Sequence, residues 1–334
     1  MFTRRLLAGG LGSILAAPGI AGASALTPIP SQAPTARPQT GGDSPQAAED
    51  PLVILDATLD SDARLTVATS VNDTGGFRFV VDTGADKTVL TPAIAERLNL
   101  PRGPDVLVHG ASGSMTCPTA LVRNLRAGET GLTNSILPVL PYDRVGADGL
   151  LGVDALEGRN VVIDFQRKQL EVRRSAPSFE PYKTSREVNV AANARYGRLT
   201  LADSRIGGAR SLAFIDSGGG VSIGNMALAR AIAAKRRRSP DRVQRIRLLT
   251  ASGEIQLGEF RIIPTIAMGD LRLSNTPMAF ADLHVFNHWG LNDRPAALFG
   301  VDVLRLFARV ELDFGAGKVL FRLGQGGFAP VLQA

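Results

Sequence analysis

The chain has 334 residues, of which 44% are hydrophobic and 20% charged, so it has enough apolar residues for one large domain or two smaller ones. Its 36 glycines, 20 prolines and few aromatic residues favour turns and short strands, as in an all-β protein. The net charge of +6 includes a basic run at residues 235–238. No aromatic side chains interleave with that run to stack bases, so we expect no nucleic-acid partner.

The N-terminal residues predict export. Arg4 and Arg5 are followed by a mildly apolar stretch at residues 6–20 and by a small-residue cleavage site that ends at Ala25. The paired arginines are similar to a twin-arginine signal, and the Sec route stays open. We therefore expect a signal peptide at residues 1–25 and a periplasmic or secreted protein. No later stretch of the sequence predicts a membrane span.

The segment after the signal predicts a linker. Residues 26–50 are rich in Pro, Ser, Gln, Thr and Gly, a composition that cannot bury enough apolar surface to offset the entropy of ordering. We expect this segment to be flexible, and the sequence leaves open whether it acts as a propeptide. Two lobes are predicted to follow, at residues 51–178 and 179–334, connected through a Pro- and Ser-rich stretch at residues 175–185.

An internal repeat predicts the two lobes. A shift of 134 residues aligns Val81-Asp82-Thr83-Gly84 with Ile215-Asp216-Ser217-Gly218 without a gap. Further landmarks recur in the same order at larger offsets: residues 111–113 with 251–253, 151–156 with 299–304, and 163–165 with 312–314. Because the order is kept across more than a hundred residues, an internal duplication with one shared fold is the simplest explanation.

The first repeat reads as strands with a short helix. Strands are predicted at residues 65–71 and 77–81, joined by a hairpin turn at residues 72–76. Thr91 is the predicted N-cap of the helix, and Pro92 occupies its first position.

The second repeat follows the same plan. Asn225 is predicted to cap a longer helix that runs to about Arg237. Each repeat is predicted to close with a pair of strands, residues 161–165 with 170–172 and residues 310–314 with 319–321. The fold class is therefore predicted to be all-β.

An acidic residue ends a buried strand in both repeats. Asp82 follows Phe-Val-Val and Asp216 follows Ala-Phe-Ile, and a glycine two residues later permits a tight turn. A two-fold arrangement of the lobes would bring these aspartates face to face. Two close carboxylates share a proton, so one can act as base and the other as acid on a water that attacks a peptide carbonyl. This chemistry needs no cofactor and no metal.

Other candidate residues carry weaker signals. Asp73-Thr74-Gly75 has similar letters, but no apolar strand run precedes it, so it is interpreted as a surface turn. Asp164 and Asp313 recur at matched strand ends and indicate turns or structural hydrogen bonds. Cys117, the single cysteine, excludes an intramolecular disulfide and is predicted to be small and buried. The three histidines are interpreted as scattered surface or satisfied side chains, not metal ligands: His109, His284 and His288.

The two aspartate loops, the glycine-bearing hairpins and the two apolar-apolar-Gly segments resemble the retropepsin-like aspartic proteases. The form is a tandem one, with two lobes in one chain as in pepsins, and the resemblance covers residues 52–324. It implies the acid-protease pair of β-barrels with a cleft between the lobes. It further implies an aspartic endopeptidase that acts on peptide or protein substrates through Asp82 and Asp216, as a monomer without cofactors.

The resemblance also implies supporting roles. Thr83 and Ser217 are expected to exchange hydrogen bonds across the lobes, and Gly84 and Gly218 to offer N–H groups to the carboxylates. A substrate-binding flap is expected at four residues: Gly110, Ala111, Ser112 and Gly113. A second hairpin at residues 250–253 is either another flap or a rigid vestige. The first hairpin lacks the flap tyrosine of pepsins, and Gly219 stands where Ala, Ser or Thr is expected, so the match is incomplete.

Two alternatives stay open. A non-catalytic module could bind peptides or inhibit another enzyme through the same cleft, although the intact pair Asp82 and Asp216 argues against it. A dimer could pair each lobe with its twin in another chain, although linkage of two lobes in one chain favours intramolecular pairing. The sequence does not reveal the natural substrate or the side chains preferred at the cleavage site.

Overall fold

A computed structural model describes residues 6–7, 15–16, 53–59, 65–110, 113–128, 130–175, 187–195, 198–201, 203–235, 243–249 and 255–324. The predicted signal peptide and linker lie outside these residues, apart from two short strands, Leu6–Leu7 and Leu15–Ala16. The tip of the second hairpin and most of the predicted connection between lobes also lie outside them. The described chain is built mainly of β-strands with a few short helices, which confirms the predicted all-β class.

The first half, residues 53–175, contains one sheet of its own and three short helices. Its strands are Val53–Leu59, Leu65–Val71, Thr74–Val81, Val89–Leu90, Arg102–His109, Ser114–Ala127, Thr130–Pro138 and Gly149–Leu151. Its helices are Pro92–Arg97, Tyr142–Val145 and Val153–Leu156. Most neighbours pair antiparallel, but Gly149–Leu151 runs parallel to Thr74–Val81 and so fixes the strand that leads into Asp82.

Residues 187–324, the second half, repeat this plan. The strands of its sheet are Glu187–Arg195, Arg198–Leu201, Ser204–Ile206, Ala209–Arg210, Leu212–Ile215, Ile223–Gly224, Gln244–Leu249, Ile255–Met268, Leu271–Phe280 and Ala296–Phe299. Its helices are Met226–Lys235, His284–His288 and Val301–Leu304. Here Ala296–Phe299 runs parallel to Leu212–Ile215, the strand that leads into Asp216.

A third, antiparallel sheet joins the two halves, and we call it the bridging sheet. Its strands in spatial order are Val53–Leu59, Gln169–Arg174, Arg159–Asp164, Arg309–Asp313, Lys318–Arg322 and Glu187–Arg195. At its centre Val162 pairs with Glu311, its equivalent in the repeat, with Val161–Leu312 and Ile163–Val310 on either side. Each half therefore contributes matching strands to one continuous sheet.

The predicted elements are present, with shifted boundaries. The first hairpin turn is shorter than predicted, because Asn72 and Asp73 both adopt left-handed backbone angles and the second strand already begins at Thr74. Such a two-residue turn matches the twist of paired strands. The second-half helix is described as Met226–Lys235, and its predicted end at about Arg237 lies outside the described residues. Both closing strand pairs are present, with ends that differ from the predicted ones by one or two residues.

The apolar faces of the sheets make the core. One cluster of buried side chains runs through both halves and the bridging sheet, and smaller clusters lie in each half. The largest fully buried side chains include Phe79 and Phe214, which lie on the strands before the aspartates. No closed barrel is found among the described strands, so the pair of β-barrels implied by the resemblance remains a prediction.

Candidate active site

Parallel strand pairs position the two aspartates. The backbone N–H of Asp82 donates to the carbonyl of Leu151 at 3.1 Å, and that of Asp216 donates to the carbonyl of Phe299 at 2.9 Å. The two strands that carry these carbonyls pack among fully buried apolar residues. Each aspartate is therefore hydrogen-bonded to the packed core of its half. Both aspartates are themselves buried.

Side-chain hydroxyls connect the first aspartate loop (residues 82–85) to the second (residues 216–219). The Thr83 N–H donates to Ser217 Oγ at 3.0 Å, and the Ser217 N–H donates to Thr83 Oγ1 at 3.0 Å. Each hydroxyl then donates onward, Thr83 Oγ1 to the carbonyl of Ile215 and Ser217 Oγ to that of Val81. This reciprocal set holds the two loops against each other and satisfies buried polar groups of both.

The glycines let the carboxylates come together. Gly84 N–H donates to Asp82 Oδ1 at 2.8 Å, and Gly218 N–H donates to Asp216 Oδ1 at 3.1 Å. A Cβ atom on Gly84 would lie 2.5 Å from Asp216 Oδ1, and one on Gly218 would overlap the Asp82 carboxylate. Each carboxylate thus packs on the glycine of the opposite loop. The predicted pair is adjacent in space, although it is separated by 134 residues.

A second pair of contacts braces the loops, and the sequence analysis missed it. Asp154 Oδ1 accepts hydrogen bonds from Thr88 N–H at 2.9 Å and from Thr88 Oγ1 at 2.7 Å, and Gly152 N–H donates to that hydroxyl. Partial burial of Asp154 raises its pKa above the ordinary value, while the hydrogen bonds from Thr88 oppose this rise.

The second half has the equivalent brace. Asp302 accepts from Ser222 N–H at 2.9 Å and from Ser222 Oγ at 2.6 Å, and Gly300 N–H donates to Ser222 Oγ. Burial again raises the pKa of the carboxyl group of Asp302. The signal was in the repeat, since Thr88 and Ser222 align at the same offset as the aspartates.

The predicted flap is a hairpin between the strands Arg102–His109 and Ser114–Ala127. Gly110 N–H donates to the carbonyl of Gly113 at 2.8 Å, which closes the turn. Ala111 and Ser112, the other two predicted flap residues, lie outside the described residues. A role of this hairpin in substrate binding remains a prediction.

The histidines correct the sequence analysis. They were expected to be scattered, but the structure gathers all three where the first hairpin meets the second half. His109 Nδ1 lies 3.2 Å from His284 Nε2, and the ring centroids of His109 and His288 are 4.0 Å apart. Burial, followed by the charges of His288 and His284, lowers the pKa of His109. Distance along the chain concealed this cluster, which depends on the contact between halves.

The remaining predictions are structural ones. Asp164 Oδ1 accepts from Arg167 N–H at 2.8 Å, and Asp313 Oδ1 accepts from Gly315 and Ala316 N–H groups, which confirms their role in turns. Asp73 is exposed at a turn, as predicted. Cys117 is buried, as predicted, and burial raises the pKa of its thiol to about 11.

A family model described as "Aspartyl protease" matches residues 67–155, which contain Asp82, the predicted flap and Asp154. This match supports an aspartyl protease family. A search of curated proteins finds no match to the chain. The second aspartate, Asp216, lies outside the matched residues, so its place in a protease site is argued from geometry.

Among the described residues, no helix combines the length and the apolar character that a membrane crossing requires.

Proposed function

We propose that this protein is an aspartic endopeptidase in which Asp82 and Asp216 together activate a water for peptide-bond hydrolysis. The observation that carries the proposal is the reciprocal hydrogen bonding of Thr83 and Ser217, with each carboxylate packed on the glycine of the opposite loop. The family match supports protease chemistry in the first half. The two halves are proposed to be duplicated lobes of one monomeric enzyme, exported through the N-terminal signal.

The chemistry follows from two carboxylates in one buried place. Ionising both would place like charges close together in a poorly solvated site, so one proton is shared between them. The ionised member takes a proton from the attacking water, and the protonated member donates to the oxygen of the peptide carbonyl. After attack, the pair returns a proton to the leaving nitrogen. The N–H groups of Gly84 and Gly218 hold the carboxylates in place through the cycle.

Two single substitutions test this proposal directly. Asp82→Asn and Asp216→Asn each replace a carboxylate by an amide of the same shape that cannot take up the proton of the water. Both should lower cleavage of a peptide library by roughly 100- to 10,000-fold between about pH 3 and pH 7, and pepstatin should inhibit the parent chain. Thermal unfolding of each variant checks that the fold is retained.

Asp73→Asn is the matched control, because Asp73 lies in the similar Asp-Thr-Gly triplet but at an exposed turn. It should leave cleavage unchanged. A parent chain that binds peptides but cuts none of them, before and after removal of its N-terminal residues, would instead support a non-catalytic peptide-binding module.

A further inference from the structure

We propose that His109, His284 and His288 form a zinc-binding site that ties the first hairpin to the second half of the molecule. Potential ligand atoms of all three side chains lie within 4.8 Å of one another. This cluster lies outside the aspartate loops, and no step of the proposed hydrolysis uses it.

The distances suit a metal ion. Zinc binds imidazole nitrogens at about 2.0–2.1 Å in tetrahedral geometry, which places two such nitrogens a little over 3 Å apart. His109 Nδ1 and His284 Nε2 are already 3.2 Å apart. At this separation one nitrogen can donate a hydrogen bond to the other, and a bound cation would take the place of that hydrogen.

The elements that carry the ligands are firmly anchored. His284 and His288 are four residues apart on the helix His284–His288 and therefore lie on one face of it, a spacing that zinc sites use. Val285 and Phe286 are fully buried and hold this helix in the core. His109 ends the strand Arg102–His109 and so comes from the opposite half. The helix therefore supplies two of the ligands, and the first hairpin supplies the third.

A cavity adjoins one of the three histidines. It measures about 360 Å³, touches His284 and is lined by Asp282 and Asp293 as well as by Arg230. Three imidazoles from the protein would leave a fourth zinc position for a water molecule. Imidazole ligands also suit copper and nickel, so the choice of zinc is tested against these ions.

Zinc at this site would hold the hairpin against the second half. If the proposed protease function is correct and this hairpin is the predicted substrate-binding flap, a bound ion that fixes the hairpin lowers cleavage. This consequence rests on the proposed function, whereas zinc binding itself does not. The two are therefore measured separately.

The binding test uses the full chain with an affinity tag that contains no histidine. Trp289, the one tryptophan of the sequence, directly follows His288 and is buried, so its fluorescence reports on the site. Zinc sulfate, nickel sulfate or copper sulfate is titrated at about pH 7.5, and calorimetry gives the stoichiometry. We expect one zinc ion per chain, a change in Trp289 emission and a higher melting temperature with zinc.

The variants separate this site from others. His109→Gln, His284→Gln and His288→Gln should each weaken zinc binding by more than about tenfold, whereas Asn287→Ala, on the same helix, should not. Asp82→Asn should bind zinc like the parent chain, which excludes the aspartate pair as the zinc site. A further variant replaces all three histidines by Gln. Zinc binding that persists in this variant, or absence of one-to-one binding in the parent chain, would overturn the proposal.

Cleavage assays then test the consequence. Zinc should inhibit peptide cleavage by the parent chain, and EDTA should reverse this inhibition. Zinc should inhibit cleavage by His288→Gln at least about tenfold less. Zinc binding without any measurable cleavage leaves the site established and refutes the protease function instead, so the two failures are distinguishable.

Discussion

The two aspartate loops have the same hydrogen-bond framework but different side chains in it. Thr83 in the first loop corresponds to Ser217 in the second, and Ala85 corresponds to Gly219. Gly219 N–H donates a second backbone hydrogen bond to Asp216 Oδ1 at 3.0 Å, whereas Ala85 N–H donates to the backbone carbonyl of Asp82. The framework requires a hydroxyl, a glycine and an aspartate at fixed positions, and it tolerates change at the fourth position.

The largest effect is expected where the loops touch. Gly218→Ala would push a Cβ atom into the Asp82 carboxylate, so cleavage should fall by more than about 100-fold through misplacement of the catalytic pair. Gly219→Ala places its Cβ 3.0 Å from Asp216 Oδ2 and copies the residue that the first loop already has, so it should cost less than about tenfold. Peptide cleavage rates check both. Equal losses of cleavage rate in Gly218→Ala and Gly219→Ala would contradict this expected difference between the two positions.

The helix caps of the two halves provide the next comparison. Asn225 is fully buried, its Oδ1 accepts from Leu228 and Ala296 N–H groups, and its Nδ2 donates to two carbonyls. Asn225→Ala should lower the free energy of unfolding by roughly 3–4 kcal/mol, because several buried groups lose their partners.

Thr91, the predicted cap of the first half, is the matched control. It occupies the N-cap position but makes no capping hydrogen bond with its side chain. Thr91→Val should therefore change the free energy of unfolding by less than about 1 kcal/mol. Urea denaturation measures both variants. A Thr91→Val loss as large as that of Asn225→Ala would contradict the asymmetry.

The smallest effect concerns the braces. Because burial raises the pKa of Asp154, the folded chain holds this proton more tightly than the unfolded chain. The stability from this difference is present below the ordinary pKa and is lost as the pH rises through the raised pKa. Asp154→Asn keeps an oxygen that accepts from Thr88 but has no charge to bury. Relative to the parent chain, its free energy of unfolding should therefore increase as the pH rises from about 4 to about 7.

Asp302 sharpens this test. Ser222 N–H and Ser222 Oγ bond to different oxygens of its carboxylate, so Asp302→Asn would lose one of those acceptors. We expect Asp302→Asn to be less stable than Asp154→Asn at every pH. Urea denaturation across the pH range checks the order. If Asp154→Asn were the less stable variant, the expected difference between the two braces would be contradicted.

Local patterns predicted the strands that lead into the two aspartates, the closing strand pair of each half and both aspartate loops. A run of β-branched and aromatic residues makes a buried strand wherever it occurs, and the repeat supplied each prediction twice. Boundaries shifted where backbone angles decided them, as at Asn72 and Asp73. At Thr91 the residue type predicted correctly where the helix starts. It did not predict that the Thr91 side chain makes no capping hydrogen bond.

The sequence by itself determined the pairing of Asp82 with Asp216, since both follow the same strand-and-turn pattern at one constant offset. Only the tertiary structure decided that Thr88 meets Asp154, 66 residues away, and that His109 meets His284, 175 residues away. A pattern along the chain reports the local conformation, whereas contacts of this kind depend on how sheets from two halves pack. The histidines have no equivalents in the repeat, so their cluster arises only where the halves meet.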